Sequence, residues 1–222
     1  MTGRYHRDPC VGHVAQWLTW QGRQLTPDRP AAEAFLQRLD PSAGCFSFRT
    51  FSDTPYTRLA GRDPLEGELH GSLDACWDDL VVLNRLGAAI AVTVNETNCR
   101  GRAVSDITRV RALFLDMDRE SSPDGFPLLP HIRVFTSPQH CHYYWFLDGL
   151  ALSGYLAVQR QLAQCYKGDD RACALNQAMQ LPGFWRRKRP TSPFITHRTI
   201  LTDRKNYSLE GIRPLVCQSI TG

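Results

Sequence analysis

The chain has 222 residues, of which 42% are hydrophobic and 22% charged, and carries a formal net charge of +4. That is long enough to bury a sizeable core in one large or two small domains, with the composition of an ordinary soluble globular protein. Mild basicity, with a pI near 8.7, permits an anionic partner without demanding one.

Residues 1–29 read as a polar, irregular N-terminal segment, broken only by Trp17 and Trp20. Pro30 suits the first turn of a helix running to about Leu39, with Ala34, Phe35, Leu36 and Leu39 on its apolar side. Cys45–Phe51 alternates as a strand, and Ser52–His70 reads as a loop rich in glycine, proline and charge. Ser72 is a natural N-cap for a helix to about Leu86, and Ala88–Val94 is a buried strand. Ile107–Asp118 reads as one strand. His131–Thr136 and Cys141–Leu147 then form a hairpin around Ser137–His140. Ser153–Tyr166 is helical, Lys167–Asp170 breaks it, and Arg171–Met179 resumes helix until Leu181-Pro182-Gly183. A basic cluster, a strand at about Phe194–Leu201 and a short segment to Leu215 complete an α/β (α+β) domain over 30–215, with a mostly antiparallel central sheet and a 216–222 tail.

Eight cysteines include no CxxC pair, so a paired-knuckle zinc site is unsupported. No signal peptide and no apolar run of membrane-spanning length is present, so the thiols are expected to be reduced in a cytoplasmic protein without membrane contact.

The stretch Ile107–Asp118 organises the chain. Strand alternation puts Asp116 and Asp118 on one face. Like charges held this close are costly unless a cation sits between them, and hard divalent cations take oxygen ligands. Four separated pieces then fall in order: Asp116-Met117-Asp118, Ser137–His142, Lys167-Gly168-Asp169-Asp170, and Leu181–Lys188 (LPGFWRRK). In this order they resemble the catalytic motifs of the archaeo-eukaryotic primase superfamily, in the branch of RepB-like primases and primase-polymerases of plasmids, phages and integrative elements.

The resemblance covers roughly Ala32–Pro214 and implies a primase-type domain, with an RRM-like catalytic core flanked by helices. It implies metal-binding carboxylates at Asp116 and Asp118 and a third at Asp169, with Asp170 as its rival. It also implies contacts to the incoming triphosphate from Ser137 and His142. Magnesium or manganese, nucleoside triphosphates (NTP or dNTP) and a single-stranded DNA template are the implied cofactor, substrates and partner. Many relatives place an aspartate and arginines shortly before the LPG, where this chain has Ala174, Gln177 and Gln180.

The chemistry suits those residue types on its own terms. Two-metal nucleotidyl transfer needs carboxylates for the metals and cations for the triphosphate, and Arg186, Arg187 or Lys188 can supply the latter. No GxxxxGK[ST] motif is present, so unwinding is expected from a replicative helicase, fused or recruited. The same residues have plainer uses: Ser137 can end a strand, His142 can be a satisfied core histidine, and Asp169 and Asp170 can cap a helix. Two rival functions stand beside the primase. One is a replication-initiator module that binds DNA without polymerising, supported by Ala174, Gln177 and Gln180. The other is a rolling-circle HUH-type endonuclease, using His140 and His142 with Tyr155 or Tyr166 as nucleophile.

Overall fold

The computed structural model describes residues 19–20, 23–54, 63–118, 125–189 and 191–216. The segment 1–18 and the 217–222 part of the expected tail lie outside the described residues, but Thr19–Trp20 (β1) and Arg23–Gln24 (β2) pair as a short ribbon. Helix α1 (Arg29–Leu39) starts where the Asp28 carboxylate accepts the Ala31 amide at 3.1 Å, with Pro30 in the first turn. Its buried residues Ala32, Phe35, Leu36 and Leu39 recur at helical spacing. Strands β3 (Phe46–Ser52) and β4 (Gly67–Gly71) follow, then α2 (Leu73–Arg85), capped by Ser72. Next come β5 (Ala88–Thr93), β6 (Glu96–Thr97), β7 (Ile107–Arg109) and β8 (Ala112–Asp118). The hairpin β9 (Ile132–Ser137) and β10 (His140–Phe146) leads into α3 (Leu152–Tyr166). The chain closes with β11 (Ala178–Gln180), β12 (Trp185–Arg186), β13 (Phe194–Ile195), β14 (His197–Ile200) and α4 (Arg213–Val216).

The antiparallel, mixed α+β architecture expected from the sequence is present, arranged as two four-stranded sheets. One has the order β14-β9-β10-β8 and the other β11-β5-β3-β4. A single cluster of buried side chains runs from Ala32 to Val216, with Phe35, Phe48, Phe114, Tyr144, Trp145, Phe146 and Tyr155 among its largest fully buried members. Phe35 meets Tyr144 edge-on at 5.3 Å, which fastens α1 to the first sheet.

Several local expectations need correction. The loop assigned to Ser52–His70 contains β4, whose register on β3 runs from Phe46↔Gly71 to Thr50↔Gly67. The single strand Ile107–Asp118 breaks at Val110–Arg111 because the chain changes partners there. β7 pairs with β6, and the Arg111 amide is taken by the Asn95 side chain at 3.0 Å. The buried Arg111 guanidinium then meets Asp40 at 2.8 Å, a carboxylate shared with Arg109. Arg171–Met179 is not helix. A 3-10 turn at Asp170–Ala172 gives way to β11, which completes the edge of β5 from Ala178↔Thr93 to Gln180↔Ala91. The strand expected at Phe194–Leu201 splits at Thr196, whose buried hydroxyl lies 2.9 Å from the carbonyls of both Leu181 and Phe184.

The reduced-thiol expectation is corrected at one pair. Thr97 on β6 packs its hydroxyl on Ser47 of β3 at 2.6 Å and accepts the Cys99 amide, so Cys99 sits beside Cys45 and the two form a disulfide. Among the described residues, Cys76, Cys141, Cys165 and Cys173 form no disulfide. No described helix is long and apolar enough to cross a membrane.

Candidate active site

β8 is an edge strand, and its outer side is closed by side-chain and loop groups. The amide of Gln159, buried in the middle of α3, holds both the Phe114 N–H (3.2 Å) and the Phe114 carbonyl (2.6 Å). One step along the same edge, the Asp169 amide donates to the Asp116 carbonyl at 3.1 Å. Glycine at 168 eases this approach: a Cβ there would lie 2.8 Å from Leu115 Cδ2, and that buried side chain would have to shift. Lys167, in the left-handed region at φ 55°, turns the chain out of α3 toward that contact. The third acidic motif is thereby tied to the first by backbone geometry, and it is Asp169 that lies against β8 while Asp170 is exposed.

On the other side of β8, β10 places His142 opposite Asp116. His142 Nε2 lies 3.5 Å from Asp116 Oδ1, and Nδ1 is 3.3 Å from the Tyr144 hydroxyl. Burial pushes the His142 pKa down, and the Asp116 charge opposes this; Arg186 and His140 push it further down. The ring is therefore neutral at pH 7. Ser137 Oγ sits 2.8 Å from His140 Nδ1 and accepts the Gln139 amide, so it closes the hairpin turn while lining the cavity beside it.

That cavity, of about 570 Å³, is lined by Asp116, Ser137 and His142 of the first sheet and by Gln177 and Gln180 around β11 of the second. Arg186, Lys188 and Arg189 line it too. The LPG turn delivers these cations. Gly183 adopts φ +91°, its carbonyl accepts the Asp28 amide at 2.7 Å, and any Cβ would collide with the Asp28 carbonyl. Arg186 keeps Nε on the Asp53 carboxylate at 2.8 Å. Arg187 turns the other way: it is buried, its Nη1 donates to the Arg85 carbonyl at 3.3 Å, and it does not line the cavity. Of the three cations named from the sequence, Arg186 and Lys188 reach the cavity and Arg187 turns back to the end of α2.

The donor types fit a hard divalent cation. Asp116 and Asp169 are bonded through the backbone, and the side chain of each is 35% exposed. Among the described residues no group of three or more His, Cys, Asp or Glu is arranged to hold a metal. Both oxygens of Asp169 are taken by Arg171, at 3.0 and 3.1 Å, whose guanidinium holds the carboxyl below the usual carboxylate range. The Asp118 side chain lies outside the described residues.

Sequence reasoning missed Gln159 and Asp53. Gln159 had a readable signal, a polar residue on the stripe shared by Tyr155, Leu162 and Ala163. Asp53 had none, because its partners are 133 and 134 positions away. Of the departures noted before the LPG, Gln177 and Gln180 line the cavity, whereas Ala174 is exposed outside it.

No family model and no curated protein matches the chain. Solved structures do. The AEP domain of the cyanophage S-2L primase-polymerase matches 86% of this chain and 100% of its own length, at 16% identity with a TM-score of 0.66. A crystal structure of primase RepB′ matches over 85% of this chain and 60% of its own, at 17% identity with a TM-score of 0.55. The catalytic domain of primase RepB′ in complex with initiator DNA matches over 85% and 92%, at 16% identity with a TM-score of 0.52. At such identities the likeness is one of fold.

Proposed function

Starting from a chain with the fold of the archaeo-eukaryotic primase (AEP) domains, we propose that residues 30–215 form a DNA-dependent primase or primase-polymerase. It would make or extend primers on a single-stranded template. The observation that carries this reading is the polarity of one cavity, with Asp116 and His142 on the wall built by the first sheet and Arg186 and Lys188 facing them. Its volume of about 570 Å³ is in the range that holds a ligand of nucleotide size.

Asp116, Asp118 and Asp169 would hold magnesium or manganese, which when bound activates the attacking 3′-hydroxyl and holds the leaving pyrophosphate. The remaining work belongs to the protein. Arg186 and Lys188 bind the triphosphate by charge-assisted hydrogen bonds, and Ser137 and neutral His142 hold it against the β8 carboxylates. Exposed Arg189 extends the positive mouth toward an anionic strand. One fold neighbour, the catalytic domain of primase RepB′, is itself in complex with initiator DNA. The setting we infer is cytoplasmic replication of a plasmid, phage or integrative element, with a helicase as partner.

Primer synthesis on a single-stranded template with labelled triphosphates, with and without Mn²⁺, tests this. Metal-dependent product that disappears in Asp116→Ala is the expected result. One observation favours the initiator module as a second reading: Arg171 occupies the Asp169 carboxylate. Wild type that binds single strands but makes no product would select it. Neither tyrosine named for the endonuclease supports that reading, because Tyr155 is fully buried and neither Tyr155 nor Tyr166 lines the cavity.

A further inference from the structure

We infer that Asp53 is a positioning residue for the triphosphate site, dividing the two arginines of the LPG motif into one that faces ligand and one that does not. The inference rests on the proposed nucleotidyl-transfer reading of the cavity.

Asp53 follows β3 directly, and its amide donates to the Gly87 carbonyl at 3.1 Å, which pins it between the end of β3 and the turn after α2. Its side chain is 1% exposed. A carboxylate so deeply buried is costly unless its oxygens are satisfied by charged or backbone donors. Here Oδ1 accepts Arg186 Nε at 2.8 Å, and Oδ2 accepts the Arg187 amide in a short contact. One side chain thus grips two consecutive residues of the motif.

The choice of nitrogen matters. A carboxylate that takes both prongs of a guanidinium consumes its fork, whereas Asp53 takes only Nε. Among the described residues, no other hydrogen bond or ion pair engages the Arg186 guanidinium, so both Nη groups remain free on a side chain that lines the cavity and is 17% exposed. The guanidinium is held in one orientation with its outer edge available for bidentate bonding to phosphate oxygens. Gripping the Arg187 amide at the same time sends the Arg187 side chain back to the Arg85 carbonyl. The sequence presents RRK as three equivalent cations, and Asp53 makes them unequal.

Isothermal titration of ATP and of inorganic tripolyphosphate, with Mg²⁺ present, tests this on wild type, Asp53→Asn, Arg186→Ala, Arg186→Lys and the Asp53→Asn/Arg186→Ala pair. Arg186→Ala is expected to weaken both ligands by about tenfold or more, and Asp53→Asn by several-fold. The double variant should bind no more weakly than Arg186→Ala alone, because Asp53 acts through Arg186. Arg186→Lys should resemble Arg186→Ala, since an ammonium held by Asp53 has no fork to offer. In turnover assays Asp53→Asn should raise KM for the nucleotide with less change in kcat.

Equal binding by Asp53→Asn and wild type would overturn the inference. So would a full additional loss in the double variant, or wild-type affinity in Arg186→Lys, which does not depend on the fold tolerating a change at Asp53. Wild type that binds neither ligand would instead overturn the triphosphate reading of the cavity itself.

Discussion

The β9–β10 hairpin carries two buried histidines, His131 entering it at the open end and His142 near its turn, and their surroundings differ sharply. His131 is fully buried, with Nδ1 accepting the Phe146 amide at 3.0 Å and Nε2–H donating to the Lys205 carbonyl at 3.2 Å. Its ring lies between Phe146 and Tyr207, at 5.2 and 4.7 Å. Both nitrogens are spent on backbone. His142 is nearly as buried, yet its two polar neighbours are a tyrosine hydroxyl and a carboxylate, both at long range, and the ring borders the cavity. Burial alone therefore does not separate the two histidines; the partners of each ring nitrogen do.

The widest separation should come from activity. In the primase reading, Asp116→Asn lowers primer synthesis by about three orders of magnitude or more. His142→Ala lowers it by about 10- to 100-fold, the worth of a hydrogen bond to a charged group. Both variants should keep a cooperative melt. His131→Ala should do the reverse: about 3–5 kcal/mol of stability is lost, because a core ring is removed and two backbone groups are left unpaired. Triphosphate affinity of the folded fraction should hold. Denaturant melts beside primer assays check all three, and an inactive but stable His131→Ala would break the distinction.

Acid sharpens it further. Burial depresses the His131 pKa from 6.5 to about 4, with the Lys205 carbonyl opposing and the Arg38 charge assisting. The unfolded chain thus takes up this proton at a higher pH than the folded one. Stability is full above about 6.5 and is lost as pH falls toward 4, by about 3 kcal/mol at most. Melts of wild type and His131→Phe over this range should show a shallower slope in the variant, with His142 contributing in the same direction to both. A slope unchanged in His131→Phe would place the titrating group elsewhere.

How much of this was legible in sequence depends on whether the determining contact was local. Helices α1 and α2 were readable because Asp28 and Ser72 cap them within three residues and apolar residues repeat along one face. The hairpin was readable from alternation, and the ordered motifs did assemble: Asp116, Ser137, His142, Arg186 and Lys188 share a cavity, and Asp169 is bonded to Asp116. What failed was decided at a distance. The 171–179 segment reads as helix, but only a 3-10 turn forms at Asp170–Ala172 and the open edge of β5 claims Ala178–Gln180 as β11. Arg186 and Arg187 look alike in sequence and are told apart by Asp53, which no spacing rule connects to them. The Cys45–Cys99 bond likewise depends on a β3–β6 contact invisible in one dimension.

The partner criterion extends from histidines to carboxylates and yields the smallest expected effect. Among the described residues the Asp116 carboxylate has only the long contact to His142, whereas Asp169 is clamped by Arg171 through both oxygens. The clamp is weak, because the Arg171 side chain is 91% exposed and solvent screens the pair. A metal competing for Asp169 must still displace it. Arg171→Ala should therefore tighten Mn²⁺ binding by about two- to fivefold, read from free Mn²⁺ by electron paramagnetic resonance, with the gain shrinking as salt rises. In the primase reading Asp116→Asn removes a ligand and Arg171→Ala frees one, so the two substitutions should move Mn²⁺ affinity in opposite directions. Unchanged affinity in Arg171→Ala would mean that Asp169 does not reach the metal, leaving Asp116 and Asp118 to hold it and favouring the initiator reading over the polymerase.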